Sequence, residues 1–121
     1  MRVVGRSENY GPEQERLNNV IGARLRITTL RSAAGPAVEL LEYLTPRDGR
    51  PLPPDTLAND LVHWHTIAIT PDVQAAARVL SAPGRALVSP GLVALPGAVL
   101  GFREGFVARD PDGHALQFRA Q

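Results

Sequence analysis

The most informative segment of this chain is residues 110–118, DPDGHALQF. An Asp-Pro-Asp-Gly turn leads directly into a short run of alternating apolar and polar residues, which is typical of a turn followed by a half-buried strand. A weaker copy, GPAVEL, occurs at residues 35–40. In each copy a glycine is followed four positions later by a side chain that can ligate a metal through oxygen, and these two side chains, Glu39 and Gln117, are 78 positions apart, as are the two glycines. The repeat therefore predicts two similar modules with ligands at equivalent positions.

Length and composition exclude several classes of protein. A chain of 121 residues forms one compact domain or two very small modules. The net charge of +1 gives no reason to expect nucleic-acid or anionic-membrane partners. The absence of cysteine excludes disulfides, thiolate nucleophiles and cysteine-ligated zinc. The first residues, MRVVGR, lack the apolar core of a signal peptide, and we expect a cytoplasmic protein.

The first half of the chain reads as strands. Residues 2–6 have β character, a polar stretch follows at 7–15, and residues 17–21 form a brief helical turn or a loop. Residues 22–30 alternate polar and apolar side chains, which predicts a half-buried strand. A turn at 32–35 and Pro46 favour a returning strand at 37–44 over a helix.

The second half is separated from the first by a linker at residues 46–60, which is rich in proline. It opens with a β-rich run at 61–70, and a helix follows to about residue 80, with Thr70 as cap, Pro71 in the first turn and Pro83-Gly84 as its stop. Further strand signals follow at 85–89, 92–95, 99–108 and 114–119. The class is therefore α+β, with an N-terminal βββ module at 1–45 and a C-terminal βαβββ module at 61–121.

With these elements in this order, the chain resembles the vicinal oxygen chelate superfamily, which includes glyoxalase I, bleomycin-resistance proteins and extradiol dioxygenases. Residues 65–69 (HTIAI), followed by Asp72, resemble the family's opening strand and helix start. Residues 110–117 resemble its closing turn and strand, and residues 37–42 (AVELLE) resemble the closing strand of the preceding module.

The resemblance implies two βαβββ-type modules whose curved mixed sheets surround a cleft. The first module is then incomplete, because its opening strand and helix would lie before Met1. We expect a chain shortened at that end, with an unpaired sheet edge that favours a homodimer in which the partner partly fills the gap.

Family members that bind a divalent cation use ligands from the first and last strands of each module. Carried over to this chain, the ligands are Glu39, His65 and Gln117, and His63 is the alternative to His65 because residues two apart share one face of a strand. Glu39 is expected either to ligate or to act as the catalytic base. Zn, Ni, Mn and Fe are the candidate metals. Gln117 is neutral where metal-binding members commonly have Glu, and it neutralises less of the cation's charge.

Three functions follow from the resemblance. The first is a metal-dependent lyase, isomerase or dioxygenase of the glyoxalase or dioxygenase type, acting on a small oxygen-bearing substrate. The second is a metal-free small-molecule binding protein of the bleomycin-resistance kind. The third is an inactive, shortened chain. Asp110 and Asp112 are explained by turn chemistry, and His114 is expected to be exposed.

Overall fold

The computed structural model describes residues 1–82 and 86–120, so the predicted helix stop at Pro83-Gly84 lies outside the described residues. The chain divides into two compact units, Met1–Arg50 and Pro51–Gln121. Each contains strands and one short α-helix, and the predicted α+β class is confirmed.

The first unit is a three-stranded antiparallel sheet in the order β1-β2-β3, with one helix between its first two strands. Its elements are β1 (Arg2–Tyr10), α1 (Pro12–Asn18), β2 (Arg24–Arg31) and β3 (Val38–Thr45). The fully buried side chain of this unit is Leu25 on β2. Gln14 is also buried, and its side chain donates a hydrogen bond to that of Asn18 one turn later on α1.

Strand β1 extends to Tyr10, beyond the predicted residues 2–6, because a charged side chain in its second half pairs with arginines of β2. Glu8 accepts hydrogen bonds from Arg24 at 2.6 and 3.0 Å, and Arg26 of β2 forms a 3.0 Å ion pair with Glu42 of β3. These cross-strand pairs lie on one exposed face of the sheet, where polar residues at alternate positions are compatible with a strand. Helix α1, where only a brief turn or loop was expected, begins at Pro12, which suits the first helical turn.

The second unit is a five-stranded mixed sheet backed by one helix. Its elements are β4 (His65–Ile69), α2 (Val73–Leu80), β5 (Ala86–Leu87), β6 (Val93–Ala94), a 3-10 helix (Pro96–Ala98), β7 (Glu104–Arg109) and β8 (Ala115–Arg119). The strand order is β4-β8-β7-β5, with β6 also paired to β7. The pair β4-β8 is parallel and the pair β7-β8 is antiparallel, so the first and last strands of the unit are neighbours.

Helix α2 covers one face of this sheet. Val73 and Ala77 of α2 pack against Phe106 and Ala108 of β7, and Phe118 of β8 stacks on Phe106 with ring centroids 5.1 Å apart. The helix cap is Asp72 rather than Thr70, since the Asp72 carboxylate accepts a 2.7 Å hydrogen bond from the backbone N–H of Ala75.

Strand β4 starts four residues later than the β-rich run predicted. The preceding residues form successive turns in which the backbone N–H of His63 donates to the carbonyl of Asp60 at 2.9 Å. The Asp60 carboxylate in turn accepts from the N–H of Leu57 at 2.7 Å, and these local bonds replace the sheet pairing that β-branched residues alone would favour.

Candidate functional site

The face of the second sheet opposite α2, called the open face, is exposed along β4, whereas Ala115 of β8 on the same face is buried. Paired residues in register point to the same side of a sheet, and Phe106, Ala108 and Phe118 point toward the helix. The residues between them therefore point to the other side. On β4 these residues include Ile67 and Ile69, whose exposed fractions are 47% and 59%.

The structure brings two of the predicted ligands to this open face. His65 pairs with Ala115, and Gln117 pairs with Ile67, so His65 and Gln117 lie on adjacent parallel strands, two register positions apart and on the same face. His65 is exposed and Gln117 is half-buried. Both are held by short-range features that the sequence predicted, the opening strand and the turn before the closing strand.

His63, which was predicted as the alternative ligand to His65, lies beside His65 in the structure. Nε2 of His63 is 3.5 Å from Nδ1 of His65, and the two ring centroids are 5.7 Å apart. Nδ1 of His63 is buried and has no hydrogen-bond partner among the described residues. Two nitrogens of the neighbouring imidazoles thus lie at the limit of a direct hydrogen bond, and Nδ1 of His63 is left without a partner among the described residues.

Glu39 lies in the first unit, on the face of β3 that also carries Leu41. Its side chain is exposed, and Oε1 accepts a hydrogen bond of 3.3 Å from the hydroxyl of Thr29 on β2. The carboxylate forms no ion pair among the described residues. It is thus available as an oxygen donor or a base on its own unit.

A second group of potential ligands is the turn before β8, which was interpreted from sequence as turn chemistry. The ligand atoms of Asp110, Asp112 and His114 lie within 4.8 Å of one another. The Asp110 carboxylate accepts from the backbone N–H groups of Asp112 and His114 at 3.0 and 2.8 Å, and its other oxygen is 3.0 Å from Nδ1 of His114. These bonds account for the turn, and the three side chains also form a possible metal-binding group. His114 is exposed, as expected.

Arg119 is a residue of the open face that the sequence analysis did not single out. It follows Gln117 by two positions on β8 and pairs with Ile69. Its guanidinium carbon lies 5.3 Å from the centre of the Phe102 ring. The period of two along a strand was the signal that could have found it, because that period places Arg119 on the same side as Gln117.

Comparison with known proteins supports the fold and goes no further. No family model and no curated protein matches the sequence. A solved structure, a glyoxalase family protein from Bacillus cereus, superposes with a TM-score of 0.74 at 20% sequence identity, covering 98% of this chain and 76% of the other. The fold is therefore glyoxalase-like. No helix among the described residues is both long and apolar enough to cross a bilayer.

Proposed function

We propose that the chain is a divalent-metal-dependent enzyme of the glyoxalase or dioxygenase type, within the vicinal oxygen chelate superfamily, that acts on a small oxygen-bearing substrate. The observation that carries the proposal is the imidazole pair on the open face, with Nε2 of His63 3.5 Å from Nδ1 of His65 and Gln117 on the adjacent strand.

The separation of the two nitrogens fits a cation held by both. Two ligands at a Zn–N distance of about 2.0–2.1 Å and a tetrahedral angle lie about 3.4 Å apart, whereas ligands at 90° to each other lie about 2.9 Å apart. The observed 3.5 Å is closer to the tetrahedral value. Zinc is therefore the first metal to test, before nickel, manganese and iron.

The proposed site carries a free-energy cost at the unpartnered Nδ1 of His63. Ligation through Nε2 places the ring proton on Nδ1, which is buried without an acceptor. Such a group costs about 1–3 kcal/mol. Ligation by the two imidazoles and the amide oxygen of Gln117 therefore has to contribute more than this cost for the site to fill.

In this proposal the chain's own residues hold the cation and position the substrate. His63, His65 and the amide oxygen of Gln117 are the ligands of the second unit. A bound cation of this kind polarises substrate oxygens and favours the loss of a neighbouring proton. Glu39 stays a prediction from the resemblance, as ligand or base, and Glu39→Ala tests it separately.

The experiment is elemental analysis of protein incubated with zinc and freed of excess metal. We expect about one equivalent per chain, and a loss of most of it in His63→Ala and His65→Ala because each variant removes a nitrogen ligand. His114→Ala is the matched control, since it removes a histidine from the Asp110 turn. Metal that is retained in both β4-side variants and lost in His114→Ala would move the site to the turn and refute the assignment. Glyoxalase, epimerase and dioxygenase assays follow for metal-loaded protein.

The second candidate is a metal-free small-molecule binding protein, which is favoured by the neutral Gln117 and by the exposed Ile67 and Ile69 on the same face. Stabilisation against heat by a bound small molecule would persist after chelator treatment in this case. For the metal-dependent enzyme, the same stabilisation by the small molecule would require the metal. The comparison of the two conditions therefore separates the candidates.

We also propose that the protein is a homodimer. Within the described part of the first unit, β3 pairs with β2 and has no strand at its other edge, and Leu40 and Leu41 of β3 are about half exposed, one on each face of the sheet. Light scattering at low micromolar concentration tests this, and a monomeric mass would contradict it. The cytoplasmic location stays a prediction.

A further inference from the structure

Arg119 is a positive charge on the open face that has no acidic partner among residues 1–82 and 86–120. Among the described residues, the arginine ion pairs join Arg24 and Arg26 to Glu8 and Glu42, all in the first unit. No carboxylate lies within 4.0 Å of the Arg119 guanidinium in residues 1–82 and 86–120. A guanidinium has five N–H donors in a planar fork, which matches the two oxygens of a carboxylate.

The side chain of Phe102 supports this guanidinium. Phe102 is 8% exposed, and the guanidinium carbon of Arg119 lies 5.3 Å from its ring centre. Gly105 of β7 makes this arrangement possible, because a β-carbon there would lie 3.0 Å from Cε2 of Phe102. An aromatic ring against one face of the guanidinium restricts its rotation and lowers the entropy lost when an anion binds.

Apolar surface lies between Arg119 and the imidazole pair. Ile69 is the register partner of Arg119, Ile67 precedes it on the same face, and both are about half exposed. His65 begins the same row. At about 3.3 Å per residue, the four-residue step from His65 to Ile69 spans about 13 Å of backbone. The open face thus carries the Arg119 guanidinium beside one end of an apolar strip on β4, and His65 at the other end of that strip.

We propose that this face binds a small carboxylic acid, whose carboxylate pairs with Arg119 and whose apolar body lies on Ile67 and Ile69. The inference rests on the proposed function, since it defines the substrate class of that same site. The carboxylate end is held at Arg119, and the other end of the molecule extends along the strip toward His65. A medium-length acid with an oxygen-bearing group distant from its carboxylate fits this arrangement.

The test uses 4-phenylbutyrate as the probe and its methyl ester as the uncharged analogue, with dissociation constants measured by ligand-observed NMR. Wild-type protein is expected to bind the acid at least tenfold more tightly than the ester. Arg119→Gln is expected to remove this preference, and Arg119→Lys to keep part of it, because lysine retains the charge without the fork. Arg78→Gln on the outer surface of α2 is the matched control and is expected to bind like wild type.

Several results would overturn the proposal. These are equal binding of acid and ester, an unchanged preference in a folded Arg119→Gln variant, or no binding by wild type at millimolar probe, as expected if another copy covers the face. Tighter binding of 3-phenylpropylphosphonate than of the acid would assign the site to phosphonates or phosphates instead. Each titration is run with zinc and with chelator. Zinc binding without probe binding refutes this inference alone, and probe binding without zinc binding refutes only the metal proposal.

Discussion

Replacement of Gly113 by alanine is expected to destabilise the second unit strongly, for two separable reasons. Gly113 has φ +94°, a conformation that an L-residue adopts at a cost of about 1–2 kcal/mol. A β-carbon there would also lie 2.6 Å from Cδ2 and 2.9 Å from Cβ of Leu52. Overpacking of this kind costs about 1–3 kcal/mol. The two costs together predict a loss of about 2–5 kcal/mol in the free energy of unfolding.

The equivalent glycine of the repeat isolates the first cost. Gly35 has φ +87°, and a β-carbon there would meet nothing within 4 Å. Gly35→Ala is therefore expected to cost about 1–2 kcal/mol, the backbone part alone. The cost of the close contact with Leu52 is tested in a Leu52→Ala background, which removes Cδ2 and leaves Cβ. Gly113→Ala is expected to cost less in that background than in wild type.

The assay is urea unfolding followed by the fluorescence of Trp64, the single tryptophan, which lies in the second unit. Amide hydrogen exchange in β3 reports on Gly35→Ala in the first unit. The reasoning is refuted if Gly113→Ala costs no more than Gly35→Ala. It is also refuted if the Leu52→Ala background leaves the cost of Gly113→Ala unchanged, because the contact with Leu52 would then contribute nothing.

Three further changes have expected outcomes. Asp72→Ala removes the cap of α2 and is expected to cost about 1 kcal/mol in urea unfolding, whereas Asp72→Asn, which keeps an oxygen acceptor, should cost much less. Leu25→Ala empties the fully buried position of the first unit and is expected to cost about 2–5 kcal/mol, with faster amide exchange across β1 to β3; slow exchange would contradict the assigned core. Gly105→Ala places a β-carbon 2.7 Å from the carbonyl oxygen of Phe118 and 3.0 Å from the Phe102 ring, and thermal unfolding at an unchanged midpoint would contradict that close approach.

Much of the second unit could be predicted from its sequence, because its signals are local. The run from His65 to Ile69, the helix after Asp72 and the strand after Gly113 each carry their own pattern of apolar residues and turn formers. The edges of elements were less predictable. Strand β7 begins at Glu104 where the β pattern began at residue 99, since turn hydrogen bonds such as that from the N–H of Gly101 to the carbonyl of Ala98 satisfy the intervening backbone.

The candidate site was predictable in its residues and less so in their arrangement. The period of two placed His63 and His65 on one side of a strand, but it did not give the distance between their nitrogens. The resemblance gave His65 and His63 as alternative metal ligands. The spacing of the two residues along the chain cannot decide whether one of them or both would hold the metal. Arg119 was missed because an arginine by itself is most often a solvated side chain.

The strand orders of the two units have different consequences for biosynthesis. In the first unit each strand pairs with the next one along the chain, so the sheet can assemble as soon as β3 has been made. In the second unit β4 pairs with β8, which lies between β4 and β7. Strand β4 therefore stays unpaired until about fifty more residues have been synthesised. During that interval its exposed isoleucines are open to other chains, and the nascent second unit is the part of the molecule where the risk of aggregation is concentrated.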